Sequence, residues 1–508
     1  MLLIDGTSLS LTQLEQAADG DNDVKLSDNS RARMQKSRQL VEDLIQAGKT
    51  IYGVNTGFGK LSDVRIAASE LQKLQKNLIL SHACGVGPAL SNREVRAMLL
   101  LKANGLATGF SGCRPIVADY LLEMLRRDVL PIIPEKGSVG ASGDLAPLAH
   151  LCLPMLGLGE VHYRGRRMPA EAALIEAGLS TIELQAKEGI SLINGTQFMT
   201  AVAGLAFIEA ERLVATADVV GAMSAEALFC TDVAFDARIQ EARGHEGQKR
   251  SATVIRQMMA GSEIRESHRD CARVQDAYSI RCMPQVHGVV RDHLQHLRRI
   301  ITTEMNACTD NPLVFAGDKE ILSGGNFHGH PIATAADLIS ILVTQLANIS
   351  ERRIAFMMDP GLSDLPPFLV KSSGINNGFM IAHVAAASLV SENKVLSHPA
   401  SVDSIPTSAN KEDYVSMGAA AAVKARQAVH NAAAVLGIEL LCAAQSLDLR
   451  SPLKPGPAAE KVLAYVREQI PTLDDDRVLS GDIETTKAML LRGDLLNVLN
   501  KMIDPLLP

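Results

Sequence analysis

The run Gly137-Ser138-Val139-Gly140-Ala141-Ser142-Gly143-Asp144-Leu145-Ala146-Pro147-Leu148-Ala149-His150 holds the residue types best suited to unusual chemistry in this sequence. A tight glycine-rich turn can bring the backbone nitrogen of Gly143 against the carbonyl carbon of Ala141, because neither residue presents a bulky side chain to block the approach. Ring closure with loss of two waters, one of them from Ser142, would leave an exocyclic methylidene. That group is a good electrophile, and no common side chain is. A lone Ala-Ser-Gly arises by chance in about one chain in five of this length, so the argument rests on what accompanies it.

Other chemical patterns are incomplete. Tyr52-Gly53-Val54-Asn55-Thr56-Gly57-Phe58-Gly59 reads as a mobile glycine-rich loop. A phosphate loop ending on Gly59-Lys60 would need glycine and a hydroxyl where Val54 and Leu61 stand. Gly85-Val86-Gly87 has Leu90 in place of the third glycine of a dinucleotide fingerprint. Gly140-Ala141-Ser142-Gly143 is followed by Asp144, where a nucleophile elbow needs glycine, which argues against a serine hydrolase. His287, His293 and His296, and His328 with His330, lack an H-E-x-x-H or cysteine partner set, so no metal site is expected. Eight scattered cysteines without a C-x-x-C pair read as buried free thiols in a reducing cytoplasm.

Composition narrows the classes further. The chain has 508 residues, 50 Lys+Arg against 57 Asp+Glu, and a net charge of -7, so no broad basic surface for a phosphate backbone is expected and nucleic acid is excluded as a partner. Hydrophobic residues at 47% and charged residues at 21% give a globular balance. Met1 to Asp5 has no basic stretch leading into an apolar one, and no window reaches the roughly 18 uninterrupted apolar residues of a membrane span. A soluble cytoplasmic protein without a membrane partner is the expectation.

The elements that must position the glycine loop follow from periodicity. Met1 to Ile4 reads as a strand, and Thr12 with Glu15 as a capping box for a short helix. Ser27-Asp28 caps a helix whose Val41, Leu44 and Ile45 share a face and which stops near Gly48. From Ala67 to Cys84, Leu71, Leu74 and Leu78 recur at helical spacing, with His82 on the same inward face. Asn194-Gly195 breaks the chain before long helices take over from Gln197. Ala333 to Met358, ending at Asp359-Pro360-Gly361, and the Ala-rich Glu412 to Leu447 are apolar enough to pack in a bundle. Lys454-Pro455-Gly456-Pro457 reads as a linker to a final helical pair, and Asp474-Asp475-Asp476 as an exposed turn.

The glycine loop resembles the signature of the aromatic amino acid ammonia-lyases, in which the cyclised tripeptide is 4-methylideneimidazole-5-one, MIO. Similar family segments occur in the expected order: Tyr52 to Gly59, Leu192-Ile193-Asn194-Gly195-Thr196-Gln197, and Gln275-Asp276-Ala277-Tyr278-Ser279-Ile280-Arg281-Cys282. Thr309-Asp310-Asn311-Pro312-Leu313, Ser323-Gly324-Gly325-Asn326-Phe327-His328 and Thr407-Ser408-Ala409-Asn410-Lys411-Glu412-Asp413 complete the set. The resemblance spans nearly the whole chain. It implies a mainly α fold, a long-helix bundle of the fumarase/aspartase-like superfamily with a smaller N-terminal α+β domain carrying the MIO loop. Residues 1–195 would form that domain, and 196–508 the bundle with its C-terminal helices.

The chemistry explains why such residues are needed. An α-amino acid has a poor amine leaving group and a barely acidic β-hydrogen, so elimination requires an electrophile for the amine and a base for the β-proton. A self-made MIO supplies the electrophile as a bound cofactor would. By resemblance, Ala141, Ser142 and Gly143 form MIO and Asn194 hydrogen-bonds it. Tyr52 and Tyr278 look like the acid/base pair, and Glu412 resembles a carboxylate proposed as base or amine-handling group, so the β-proton stays open between Tyr52 and Glu412. Arg281 suits a bidentate grip on the substrate carboxylate, assisted by Asn311. Gln275 and Phe327 would line the pocket.

In this family the pair matching Ser81-His82 sorts substrates. Ser-His accompanies enzymes acting on histidine, His-Leu those acting on tyrosine, and Phe-Leu those acting on phenylalanine. A histidine side chain can exchange a hydrogen bond with a substrate imidazole, and a polar match discriminates more sharply than apolar fit. The resemblance therefore implies ammonia elimination from L-histidine to give trans-urocanate, in a homotetramer whose active sites combine segments of three subunits. Rival outcomes are a tyrosine or phenylalanine lyase, an aromatic 2,3-aminomutase that re-adds the amine, and a catalytically silent scaffold. Tyr414, Asn377 and His330 depart from the family pattern, which bears on substrate range. Taken singly, His82 would be a core histidine, Tyr52 and Tyr278 buried fillers, Arg281 an ion-pair partner and Glu412 a residue favouring a helix N-terminus. Their joint occurrence with the loop reverses those odds.

Overall fold

A computed structural model of the chain describes residues 1–51, 53–57, 65–271 and 273–503. It forms two compact units, Met1–Leu205 with Arg299–Asp337 and Pro399–Val423, and Ala206–Arg298 with Leu338–His398 and Lys424–Pro508.

The first unit mixes helices with short strands. Leu2–Ile4 pairs in parallel with Val24–Leu26, and Leu130–Pro131, Glu160–Tyr163 and Arg166–Pro169 form an antiparallel three-stranded sheet. Ser27 caps the helix Asp28–Gln46 as expected, its side chain accepting from the Ser30 N–H. That helix buries Leu40 and Val41 with Val54, Leu71, Ala186 and Val314. The helix Asn92–Ala107 is buried along most of its length, and Ser91 with Glu94 closes a capping box at its start.

Two expected boundaries move. The first capping box is Ser10 with Gln13 rather than Thr12 with Glu15, because the helix must begin at Leu11 to bury Leu11, Leu14, Ala17 and Ala18 together. The Ala-rich helix begins at Gly418 rather than Glu412. Residues 407–412 close on themselves instead, with a bridge between Thr407 and Glu412, and Met417 takes a φ of +55° immediately before the helix. Glu412 is therefore not at a helix N-terminus.

The second unit takes in the larger parts of the helices Gln197–Ala227, Met283–Met305, His330–Met358 and Gly418–Leu449, and the whole of Met380–Leu396, Pro457–Gln469 and Ser480–Arg492. Helices that are apolar on nearly every side must bury every side. The richest 18-residue stretches of His330–Met358 and Gly418–Leu449 are long and apolar enough to cross a membrane by composition, and are 67% and 89% buried within the protein. Two buried ionic clusters lie inside this unit. Arg353 donates to both oxygens of Glu439 at 2.6 and 2.8 Å with both side chains fully buried, and Asp218 holds His287 at 2.8 Å and Arg291 at 2.7 Å. Such pairs cost much more to break than they contribute when formed.

All eight cysteines are unpaired. Four are buried as expected, and burial pushes the Cys113 and Cys152 thiols up to about 12, which makes them inert. Cys84 and Cys271 are exposed and Cys282 and Cys308 half-buried, against the expectation of burial.

Candidate active site

The first unit builds a site around the glycine loop. Gly137, Gly140 and Gly143 have φ of +124°, +69° and +76°, a region that side chains other than glycine enter at a cost. At Gly143 the need is also spatial, since a Cβ there would collide with the carbonyl oxygen of Gly195. The next residue anchors this contact: the Asp144 N–H donates to the Gly195 carbonyl at 2.7 Å. Its carboxylate accepts from the N–H groups of Phe198 at 2.6 Å and Met199 at 3.3 Å, in the first turn of the helix Gln197–Ala227. Burial pushes Asp144 up to about 8, against the pull of those two donors. On the other side, the Ser416 hydroxyl donates to the Gly140 carbonyl at 3.1 Å, and the Met417 N–H donates to the Val139 carbonyl at 2.9 Å. The loop is held from both flanks, with Ala141 and Gly143 buried between them.

Asn194 lies beneath this loop. Its Nδ2 donates to the Asn311 carbonyl at 3.2 Å, while its Oδ1 is buried without a partner. Lys102, itself buried, donates from Nζ to the Asn194 carbonyl at 2.6 Å and to Gln197 Oε1 at 3.3 Å. Desolvation pushes this ammonium down, with Asp310 opposing the shift.

Ser142 faces a carboxylate. Its hydroxyl donates to Glu412 Oε1 at 3.2 Å, and the Thr407 hydroxyl donates to Glu412 Oε2 at 2.7 Å. Both residues line a cavity of about 740 Å³ together with Leu78, Ser81, His82, Asn194, Asn311 and Phe327. His82 closes the helix Leu71–His82, and its Nδ1 sits 2.8 Å from the Leu78 carbonyl. A carbonyl oxygen can only accept, so Nδ1 carries the hydrogen and Nε2 is left as an acceptor. Burial lowers the affinity of this imidazole for a second proton, opposed by the Leu78 hydrogen bond and by the charge of Glu412. Ser81 donates to the same carbonyl at 3.1 Å. The Asn311 amide is engaged with Ser323 and with the Gly324 N–H, which donates to Asn311 Oδ1 at 2.7 Å.

The fold thus gathers Ala141, Ser142, Gly143, Asn194, Glu412, Ser81, His82, Asn311 and Phe327 in one unit. Gln275, Tyr278 and Arg281 belong to the other. There Tyr278 is 71% exposed at the start of the short helix Tyr278–Arg281, and Gln275 is also exposed. The Arg281 guanidinium lies 4.4 Å from the Tyr278 ring centroid, and its Nε is buried without a partner. Tyr52 and the Phe58-Gly59 end of its loop lie outside the described residues. Of the residues that depart from the family pattern, Tyr414 stacks on His328 with ring centroids 6.0 Å apart and stands equally far from His330. Asn377 is in the second unit, where its N–H donates to Asp476 at 2.8 Å.

Sequence reasoning missed Lys102, the Asp144 anchor, Thr407 and Lys411, which also lines the cavity. Asp144 and Thr407 stand inside segments already singled out. Lys102 gives no signal, being one of several polar residues in its helix.

This chain belongs to the aromatic amino acid lyase family, whose sequence model matches residues 9–468. Its fold is the mainly α fold of the ammonia-lyases and aminomutases in that family. The chain is 53% identical over 496 residues to the histidine ammonia-lyase of Myxococcus xanthus, covering 97% of each protein. The crystal structure of histidine ammonia-lyase from Trypanosoma cruzi is 42% identical and superposes with a TM-score of 0.92 over 99% of this chain and 96% of that one. Tyrosine aminomutase from Streptomyces globisporus, at 38% identity, superposes with a TM-score of 0.93 over 100% of both.

Proposed function

We propose that this carbon-nitrogen lyase removes ammonia from L-histidine without oxidation, giving trans-urocanate. The observation that carries the reading is Ser142, set in a loop of positive-φ glycines with its hydroxyl on Glu412, in the cavity that His82 lines. The likeness to histidine ammonia-lyases at about half identity supports the choice of substrate.

Ala141, Ser142 and Gly143 are read as the source of MIO. The surroundings fit that group: no side chain stands at Gly143, and the buried Asn194 Oδ1 has no partner until the loop changes its hydrogen bonding. MIO supplies an electrophile for the substrate amine. The remaining work falls to ordinary side chains. Asn194 would hold the modified loop, with Lys102 fixing its backbone. Glu412, anchored through Oε2 by the Thr407 hydroxyl and released at Oε1 once Ser142 loses its oxygen, is a carboxylate able to take the β-proton or to manage the amine, and Tyr52 is the other candidate for the proton. Nε2 of His82 would accept the N–H of the substrate imidazole, with Ser81 beside it. Phe327 and Gln275 would enclose the ring, Arg281 with Asn311 would hold the carboxylate, and Tyr278 would complete the acid/base pair.

The exposure of Tyr278 and Gln275 within their own unit supports a homotetramer in which neighbouring chains complete each site. An isolated subunit would then be inactive. The unpaired cysteines support a reducing compartment, the cytoplasm.

The test is to incubate the purified protein separately with L-histidine, L-tyrosine and L-phenylalanine and to follow the near-ultraviolet rise of the conjugated acid. A rise with histidine alone is expected. A rise with tyrosine or phenylalanine would keep the chemistry and overturn the substrate, and formation of a β-amino acid would mark an aminomutase.

A further inference from the structure

Lys411 and Glu412 are adjacent in sequence and line the same cavity. Side chains of successive residues in an extended segment point to opposite faces, so this placement needs a turn, and Lys411 is right-handed helical at φ −78°, ψ −30°. Ser408, Ala409 and Asn410 have φ of +52°, +53° and +63°, three successive non-glycine residues in the left-handed region. Residues other than glycine enter that region at a cost, and strain of this kind persists where the surroundings over-determine it. Here the turn is closed by the Thr407 N–H donating to the Glu412 carbonyl at 3.0 Å and the Lys411 N–H donating to the Ser408 carbonyl at 3.2 Å.

The strained turn gives the cavity a wall with two opposite charges. Among the described residues lining it, Lys411 and Glu412 are the charged pair; the others are apolar, neutral polar, or His82, whose proton affinity burial lowers. The two differ in how they are engaged. Glu412 is anchored through Oε2 by Thr407, its Oε1 being taken by Ser142 only while that hydroxyl lasts, whereas the Lys411 ammonium has no partner among the described residues. Asn311, set beside Arg281 on the carboxylate in the proposed function, brings no charge of its own, and its amide is shared with Ser323 and Gly324.

A zwitterionic α-amino acid is the ligand whose charges match that wall. We infer that Lys411 is a specificity-determining residue that grips the substrate α-carboxylate from the same unit that carries Ser142, while Glu412 faces the α-amino end. The inference rests on the proposed lyase reading only in taking an α-amino acid as substrate; it does not depend on the side chain being imidazole.

The experiment compares the purified holoenzyme with Lys411→Gln and Lys411→Arg. Kinetics are measured on L-histidine, and inhibition by histamine, which keeps the imidazole and the amine but lacks the carboxylate. Losing a charge-assisted hydrogen bond raises KM for L-histidine about tenfold or more in Lys411→Gln, with kcat within about twofold of the parent. The inhibition constant of histamine stays unchanged, and Lys411→Arg recovers most of the loss. An unchanged KM in Lys411→Gln, or a histamine constant that rises in step with KM, would overturn the assignment. If the parent turns over tyrosine instead of histidine, the histidine reading fails alone, and the same comparison with tyrosine and tyramine decides the role of Lys411.

Discussion

The Ser142 hydroxyl donates to Glu412 at 3.2 Å across 270 positions of sequence, so the residue expected to lose its oxygen meets a carboxylate from a distant turn. That turn is fixed by the Thr407 hydroxyl on the other Glu412 oxygen, and the loop bearing Ser142 by Asp144 and Ser416. Each of these contacts yields a measurable expectation.

The intact mass of the protein should be two waters below the encoded mass. Ser142→Ala should restore the full mass for its composition and remove nearly all activity, because no methylidene can form. Gly143→Ala should do the same, since its Cβ would collide with the Gly195 carbonyl. Mass spectrometry of both variants checks this; a fully active Ser142→Ala enzyme would falsify the mechanism.

Glu412→Gln keeps the shape of the side chain and removes its basicity. We expect the matured mass to be retained and kcat to fall by about a hundredfold to ten-thousandfold, the range for losing a positioned acid or base. Steady-state kinetics beside a mass measurement separates this from failed maturation. Unchanged kcat would assign the proton to another group.

His82 donates through Nδ1 to Leu78 and keeps Nε2 as an acceptor. Replacement by Leu should therefore lower kcat/KM for L-histidine by about tenfold to a hundredfold more than for L-phenylalanine, which offers no ring N–H to leave unpaired. Equal losses on both substrates would make His82 a packing residue.

Glu226 offers a pH test in the second unit. Burial pushes it up to about 7; Oε1 accepts the Gly456 N–H at 2.8 Å and Oε2 has no partner. The folded state holds this proton more tightly than the unfolded chain, where a glutamate titrates near about 4.3. Its stabilising contribution is complete below that pH and is lost as pH rises through about 7. Glu226→Gln should remove this slope. Relative to the variant, the parent should lose about 3 kcal/mol of stability between acid and neutral pH. Thermal melting of both proteins at several pH values would show parallel curves if the group were ordinary.

Much of the site could be read from residue types. The Ala141-Ser142-Gly143 loop, the break at Asn194-Gly195 and the helix ending in His82 all stand where glycine spacing and leucine periodicity put them. What escaped was set by distant contacts. Lys102 is one of several polar residues of the helix Asn92–Ala107, and only folding brings it to the Asn194 carbonyl, 92 positions away. Glu412 read as the start of an Ala-rich helix because alanine propensity does not register a left-handed residue at Met417. Likewise Ser10 displaces Thr12 as a cap because burial of Leu11 outranks the local capping pattern. No change of composition marks residues 299–337 and 399–423 as belonging with the N-terminal stretch.

The interleaving of the first unit along the chain also imposes an order of events during synthesis. Ser142 and the glycines around it leave the ribosome early, but Ser416 and Met417, which hold one flank of the loop, are made only after most of the chain. N-terminal segments ordinarily fold first as they emerge. A nascent N-terminal part lacks the two donors that hold one flank of the loop, so on the proposed reading a stalled or truncated chain would keep an unmodified serine. The electrophile proposed for this loop would then form only after the polypeptide that encloses it has been made.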